Sequence, residues 1–481
     1  MTRQHPIKIL SLMYSGVWLL IIPLVRGIVS LDSPQAFRVW LTGVWLDLLV
    51  VAFIVGTAVV RWRCVSFDIC KDGISFRRGV FIRHYGFIPT ESISVAEGEK
   101  KFLLRPFGAV VVHISSDSGK ANDVLTLTMR YRDYARLFSE LAKKKRSGIK
   151  ASYRPKKLYL ILFSTIFSSA LSGVLFISTF FIESGKILVD MLEGYFLTTV
   201  DEVSSHLDAV IDGIPKIVVA VVLILLIGWV CSLVINLLRY TKFRIERVGR
   251  FVSVRSGFFT QSHCFIDASK IFFADMRQNL LMKLCGIISV QVSCAGYSRR
   301  KSRIPVFIPI NKRKDVLSTM RILLPSSEVS PPTIKPSPKS FFRYIFLPVF
   351  IIPSVVAVMF PIIHFFPLWK DVAVLLSVTA EVLSVIFLTA KIVAYFSTGI
   401  SVGEDTICIQ YSMGINFRTV IIPKRNIAKI SLTQSIFARR YGYCNMTFFS
   451  ASRLISPHFV IGIPLADAEK ILSALDSNTG I

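Results

Sequence analysis

Apolar residues fall along the chain in two alternating regimes. Six runs are long enough for helices that cross a hydrocarbon core of about 30 Å, which takes about 20 residues. They are Ile9–Ser30, Leu41–Val60, Leu158–Ile182, Ile217–Leu238, Phe341–Phe366 and Val372–Phe396. The runs come in three pairs, the pattern of three helical hairpins. After the second run of each pair the period changes to two, as in strands with turn residues between them. The pattern predicts a transmembrane hairpin over 9–60 and a strand-rich domain over 61–146. A second hairpin with a long outer loop over 158–238 leads into a second domain over 239–324. A third hairpin over 341–396 leads into a third domain over 397–478. The first run has no small-residue cleavage site and another span follows quickly, so it reads as a retained span.

The three strand-rich stretches repeat one another. The first passes through Asp72-Gly73 and Gly79-Val80-Phe81, the second through Gly249 and Gly257-Phe258-Phe259, the third through Gly414-Ile415. From there the spacing locks. Phe87-Ile88-Pro89 matches Phe265-Ile266-Asp267 and Ile421-Ile422-Pro423. Ile93, Ile271 and Ile427 follow at one offset, Arg105, Lys283 and Arg439 at the next, and Gly108, Gly286 and Gly442 at a third. Each unit closes with an amphipathic stretch, over Tyr131–Lys144, Asn311–Leu324 and Leu465–Ser477. The apolar stripe of the last, Leu465, Ala468, Leu472 and Leu475 with Ile471 beside it, reads as core packing.

Charge sets the expected orientation. The 481-residue chain is 53% hydrophobic and 18% charged, yet carries a formal net charge of +27. Segment 61–157 holds 21 Lys/Arg against 9 Asp/Glu, and segment 239–343 holds 20 against 5. The outer loop Ser184–Gly213 is rich in acids, among them Asp190, Glu193, Asp201, Glu202, Asp208 and Asp212. By the positive-inside rule the basic segments and both termini are cytoplasmic and the hairpin tips lie outside. Because the basic residues flank hydrophobic spans, nucleic acid is not the expected partner. The outer loop reads as an acidic connector, with a short amphipathic helix or a site for a cationic peptide or protein as the other readings.

The repeats carry a family resemblance. A helical hairpin, strands with a Gly-apolar turn, Ile-Pro, a basic-x-x-Gly step and a final helix resemble the bacterial pleckstrin-homology-like (PH-like) membrane proteins, most nearly the YdbS/YdbT-like family, whose larger member has three such units. His5-Pro6 matches the family's His-Pro, and Gln278 and Gln434 match its Gln before the basic step. Lys100 departs from that Gln, Asp267 departs from the proline, and the third unit lacks one residue between Gly414 and Pro423. The resemblance implies a membrane α + β fold. Six transmembrane helices form three hairpins, and each is followed by a cytoplasmic PH-like β-sandwich or barrel of two packed sheets closed by one C-terminal helix. It also implies a bacterial cytoplasmic membrane location and makes a smaller one-unit relative, or self-association, the expected protein partner.

Three sets of residues are candidates for function. Arg77, Arg78 and Arg83 surround the first turn, Lys100, Lys101 and Arg105 follow, and Arg299, Arg300, Lys301 and Arg303 form a loop in the second unit. They read either as generic anchoring or as recognition of anionic lipid headgroups, each cation near the leaflet being worth about 1 kcal/mol. Asp47 and Glu381 lie within predicted spans, Arg26 is a candidate partner for Asp47, and His364 is a weaker one for Glu381. A carboxylate inside lipid marks a helix–helix clamp or a proton- or substrate-linked site. His263-Cys264 is adjacent in sequence only. No nucleotide-binding, nucleophile-elbow or zincin motif is present, no Cys/His set has zinc spacing, and the eight cysteines suit a reducing compartment. The expected role is a non-enzymatic membrane scaffold without cofactor or metal that binds membrane lipids and a partner protein. The alternative is a component of a lipid or peptide export system.

Overall fold

The computed structural model describes residues 2–20, 34–70, 72–116, 124–143, 149–168, 186–208, 216–294, 307–324, 329–365, 370–451 and 457–479. In the first unit, β1 (Thr2–Arg3), α1 (Lys8–Met13) and α2 (Pro34–Arg63) precede β2 (Ser66–Ile69), β3 (Gly73–Arg78) and β4 (His84–Pro89). Then come β5 (Ile93–Lys100), β6 (Ala109–Ser116), β7 (Leu125–Arg130) and the closing helix α3 (Tyr131–Lys143). The second unit begins with β8 (Ile149–Tyr153), α4 (Lys157–Phe167), α5 (Lys186–Asp208) and α6 (Lys216–Tyr240). It continues through β9 (Arg244–Val248), β10 (Phe251–Ser256), β11 (Gln261–Asp267) and β12 (Ile271–Asn279). It ends with α7 (Leu280–Leu284), β13 (Ile287–Cys294), β14 (Ile308–Lys312) and its closing helix α8 (Arg313–Leu323). The third has α9 (Phe341–Phe365), α10 (Lys370–Ser397), β15 (Gly399–Val402), β16 (Thr406–Met413) and β17 (Asn416–Pro423). It closes with β18 (Ile427–Thr433), α11 (Ile436–Arg440), β19 (Tyr443–Ser450), β20 (Pro457–Pro464) and α12 (Leu465–Thr479).

The repeat spacing has a backbone cause. Gly108, Gly286 and Gly442 have φ of +64°, +64° and +69°, a left-handed conformation that costs a residue with a side chain about 1–2 kcal/mol. In each unit this N–H donates to the carbonyl of the basic residue three places earlier, Arg105, Lys283 or Arg439, at 3.0, 3.2 and 3.3 Å. Its carbonyl accepts from the first residue of the closing helix, Tyr131, Arg313 or Leu465, at 2.9, 3.0 and 3.1 Å. The basic-x-x-Gly step is therefore the turn that seats each closing helix. That helix buries Tyr134, Leu137, Phe138 and Leu141 in the first unit, Val316 and Met320 in the second, and Ala468, Ile471 and Leu475 in the third.

The sheets do not respect the unit boundaries. Strand order is β1-β2-β3-β4, then β7-β6-β5-β11-β10-β9-β8, then β14-β13-β12-β17-β16-β15, then β18-β19-β20. Each unit was expected to own two sheets. Instead, the second half of one unit and the first half of the next form one continuous antiparallel sheet. The cores interlock as a result. Phe265 of the second unit packs in the first core, Val95 of the first packs in the second, and Phe273 of the second packs in the third. Burial on both faces explains why β5, β11, β12 and β17 are rich in fully buried apolar residues.

The six-span expectation is corrected to three among the described residues. Val222–Tyr240, Pro338–Phe365 and Leu376–Ser397 are long and apolar enough to cross a membrane. The described part of Ile9–Ser30 ends at Leu20 and holds α1 and a 3₁₀ helix, and Leu158–Ile182 is described as helix to Phe167. Leu41–Val60 lies in the 30-residue α2 and carries Asp47 near its middle. The outer loop Ser184–Gly213, expected as a connector or a short helix, holds the 23-residue α5. Helix α9 contains Pro348, Pro353 and Pro361 and still packs along α10, as membrane helices allow. Its Tyr344 hydroxyl donates to the Ile461 carbonyl at 2.9 Å, which ties this hairpin to the third unit.

Candidate functional site

The first unit departs from its repeats at two neighbouring positions of β5, and the departures open a cleft. At the position of Gly98 the second unit has Met276 and the third has Leu432. Gly98 lies flat under the Tyr134 ring, where a Cβ would come within 2.3 Å of Cε2. Met276 instead fills its own core, 3% exposed. At the position of Lys100 the other units have Gln278 and Gln434. Their amides donate across the sheet to the carbonyls of Ile287 and Tyr443 at 2.7 and 3.0 Å. Lys100 points instead over the rings of Tyr131 and Tyr134, 4.0 and 5.5 Å from their centroids, in cation–π geometry.

The pairing of β5 with β11 completes the site from the second unit. The cleft holds about 390 Å³ and is lined by Gly98, Lys100, α3 residues including Tyr131, Tyr134 and Phe138, and by Lys242, Arg255 and His263. Among the described residues its lining includes three cations and no carboxylate. His263 sits on its wall, stacked on Phe138 at 5.3 Å. Its Nδ1 is 2.9 Å from the Tyr134 hydroxyl and its Nε2 is 2.8 Å from Ser253 Oγ. Arg255 Nε donates to Nε2 at 3.1 Å, which places the ring proton on Nδ1. Burial pushes the His263 pKa down to about 3, and the Arg255 and Lys100 charges add to the shift. Burial also raises the Tyr134 hydroxyl well above the ordinary phenol value. The imidazole is thus a neutral structural bridge between the units. Cys264, its neighbour in sequence, points to the opposite face of the strand, fully buried in the second core with its thiol pKa raised by that burial. The two form no dyad.

The cleft is fastened to a spanning helix. Backbone N–H groups of Gly257 and Phe258 donate to the Thr241 and Leu238 carbonyls at the end of α6, at 2.9 and 3.1 Å. Arg105 locks the same turn by donating to the Phe258 and Phe259 carbonyls, the latter at 2.9 Å. Phe102 packs edge-on against Phe259 at 5.9 Å. Phe258, Phe259, Phe102, Leu103 and Phe107 are nevertheless exposed. The matching tips of the other units, Leu281 and Leu284 and then Ile436 and Phe437, are exposed too. Exposed apolar side chains repeated at one loop of every unit suit a membrane interface.

The remaining candidates are scattered. Arg77 and Arg78 lie over Tyr85 and Phe76 on the first sheet, and Arg83 precedes β4. Lys101 is exposed beside the cleft without lining it. Arg299, Arg300, Lys301 and Arg303, like Arg26, lie outside the described residues. Asp47 is half-buried in α2. In α10, Glu381 keeps Oε1 buried without a hydrogen-bond partner among the described residues, while His364 is exposed, stacks on Phe360 and meets Phe365 edge-on. Lys242 and Arg255 were missed by sequence reasoning, since only the pairing between units brings them to Lys100. The departure of Gly98 from Met276 and Leu432 was the signal available.

The bacterial PH domain family matches the chain three times, over residues 19–146, 195–321 and 346–479. The chain belongs to the bacterial PH domain family. Three matches in a row make it a three-unit protein of the YdbS/YdbT-like kind. UPF0699 transmembrane protein YdbT of Bacillus subtilis (strain 168) is 19% identical over 416 residues, covering 81% of this chain and 80% of that protein. No solved structure matches.

Proposed function

We propose that this protein is a non-enzymatic membrane scaffold whose row of PH-like units holds an anionic lipid headgroup in the cleft between its first two units. The observation that carries the reading is the cleft itself. Lys100, Lys242 and Arg255 converge over an aromatic floor beside the end of α6, with no carboxylate among the described lining residues. A phosphate ester fits that charge, and the tyrosine rings and Phe138 offer an apolar wall to the glycerol stem. The Lys/Arg-rich segments that flank the spans support a cytoplasmic place for the PH-like units. The exposed aromatic tips then dip into the inner leaflet, and the faces turned away from the membrane remain for a partner protein.

The test is native mass spectrometry of the protein extracted in mild detergent. Wild type should retain phosphatidylglycerol or cardiolipin in preference to phosphatidylethanolamine. Lys100→Gln/Arg255→Gln should lose that preference while remaining folded. Equal retention by both forms would refute the lipid site. A second reading, a component of lipid or peptide export, draws on the buried carboxyl oxygen of Glu381 within the membrane helix pair. It predicts that Glu381→Gln abolishes movement of a cargo while leaving lipid retention unchanged.

A further inference from the structure

One pairing rule governs both junctions. The third strand of a unit's first half (β11 or β17) lies against the opening strand of the preceding unit's second half (β5 or β12). The register is the same in both. Phe265 faces Ala96 and Ile421 faces Ala274, and in the repeat spacing Phe265 matches Ile421 while Ala96 matches Ala274. Applied to a row of three units, the rule leaves one strand of each kind over. These are β4 at the start and β18 at the end, and among the described residues each is the outer strand of its sheet. Their exposure departs from that of the repeats accordingly. Phe87 is 53% exposed, where its matches Phe265 and Ile421 are 6% and 1% exposed. Tyr85 beside it is exposed as well. No residue of β18 is buried, whereas β5 is buried from Ile93 to Glu99.

We propose that β18 of one copy pairs antiparallel with β4 of a second copy, with Ile430 facing Phe87, so that the row of shared sheets continues from molecule to molecule along the membrane. An open apolar edge strand is a template for another strand. A second copy is the occupant that fits, because one chain carries both halves of the junction and the repeats fix the register. Side chains agree with it. At the existing junctions Ser262 Oγ donates to Glu97 at 3.0 Å, and Arg418 lies 4.0 Å from Asp275. The matching positions at the open ends hold His84 and Ser431, again a polar pair. A contact between two different faces is heterologous, so it closes into a ring or runs on as a row. Neither edge strand lines the lipid cleft, so this inference stands or falls apart from that reading.

Paired cysteines test it. Facing residues on neighbouring antiparallel strands lie about 4.5–5.5 Å apart at Cα, within disulfide range. Two differently tagged full-length chains, one Phe87→Cys and one Ile430→Cys, are co-expressed in membranes and oxidised, with the exposed Cys70 and Cys285 changed to Ser. The expected product joins the two tags, and it falls at least tenfold when Thr433→Cys replaces Ile430→Cys. Lys100→Cys/Gln261→Cys, which face each other across the first junction, form a bond within one chain and report an intact sheet. Given that internal bond, absence of the mixed product would overturn the proposal. So would equal yield from the Thr433→Cys pair, or crosslinking of Phe87→Cys to some other protein alone.

Discussion

The two junctions between units share a backbone and differ in what they enclose. At the second, Met276 fills the space under the closing helix, and Gln278 ties β12 to β13. Its buried Asp275 is held by Arg277 at 2.6 Å, with Arg418 farther off. At the first, the Tyr134 ring takes the place of a side chain over Gly98, Lys100 gives up the cross-strand bond, and three cations gather with no acid among the described lining residues to neutralise them. One junction satisfies itself and the other is left needing an anion. A duplicated scaffold thus gains a binding site by omitting the side chains that elsewhere close it, without any new element of structure.

That contrast can be broken from either side. The largest effect is expected at the closed junction. Met276→Gly should leave a cavity where no ligand is built to enter, costing about 3 kcal/mol or more of stability, read as a lowered thermal midpoint in detergent. Asp275→Ala should cost about 2 kcal/mol, because two arginines lose their shared acceptor but remain partly exposed to water. The corresponding polar change at the open junction, Ser262→Ala, should cost about 1 kcal/mol.

Acid should loosen the same contacts. His263 has a folded pKa of about 3, below its free value of 6.5, so the folded state prefers the neutral ring. The associated stability is fully present above pH 6.5 and is lost as the pH falls from there toward 3. His458, which accepts or donates a hydrogen bond with Tyr411 at 3.0 Å, behaves alike, its pKa lowered to about 4 by burial. Denaturation midpoints should therefore drop between pH 6.5 and 4. His263→Gln should flatten part of that slope while His458 supplies the remainder. The smallest effect is expected for Lys100→Gln alone, about a fivefold loss of anionic-lipid affinity, the equivalent of about 1 kcal/mol. Lipid titration by native mass spectrometry measures it.

Much of this architecture was legible in the sequence. The locked offsets of Ile93, Arg105 and Gly108 with their repeats located three copies of one turn, and the left-handed glycines supply the cause. The shared sheets were not legible, because alternation along β5 or β11 looks the same whether the neighbouring strand comes from one unit or the next. The site was half legible. Lys100 stood out as a departure from Gln278 and Gln434, but Lys242 and Arg255 reach it only through a pairing that composition and spacing do not encode. The basic turn of Arg77, Arg78 and Arg83 had the greater local charge density, yet it lies on a different sheet from the cleft. Asp267, a departure from the proline of its repeats, turned out to be fully buried. Its carboxylate accepts from Ser269 N–H at 3.1 Å and pairs with Arg250, which in turn donates to the Glu91 carbonyl of the first unit at 3.3 Å.

The most direct measurement of the central claim is thermal unfolding of the detergent-purified protein titrated with a short-chain phosphatidylglycerol and, in parallel, with the matching phosphatidylcholine. Ligand that binds only the folded state raises the midpoint in proportion to the logarithm of its concentration. The account predicts such a rise for wild type with phosphatidylglycerol alone, and none for Lys100→Gln/Arg255→Gln. An equal rise with both lipids, or an undiminished rise in the double variant, would contradict it.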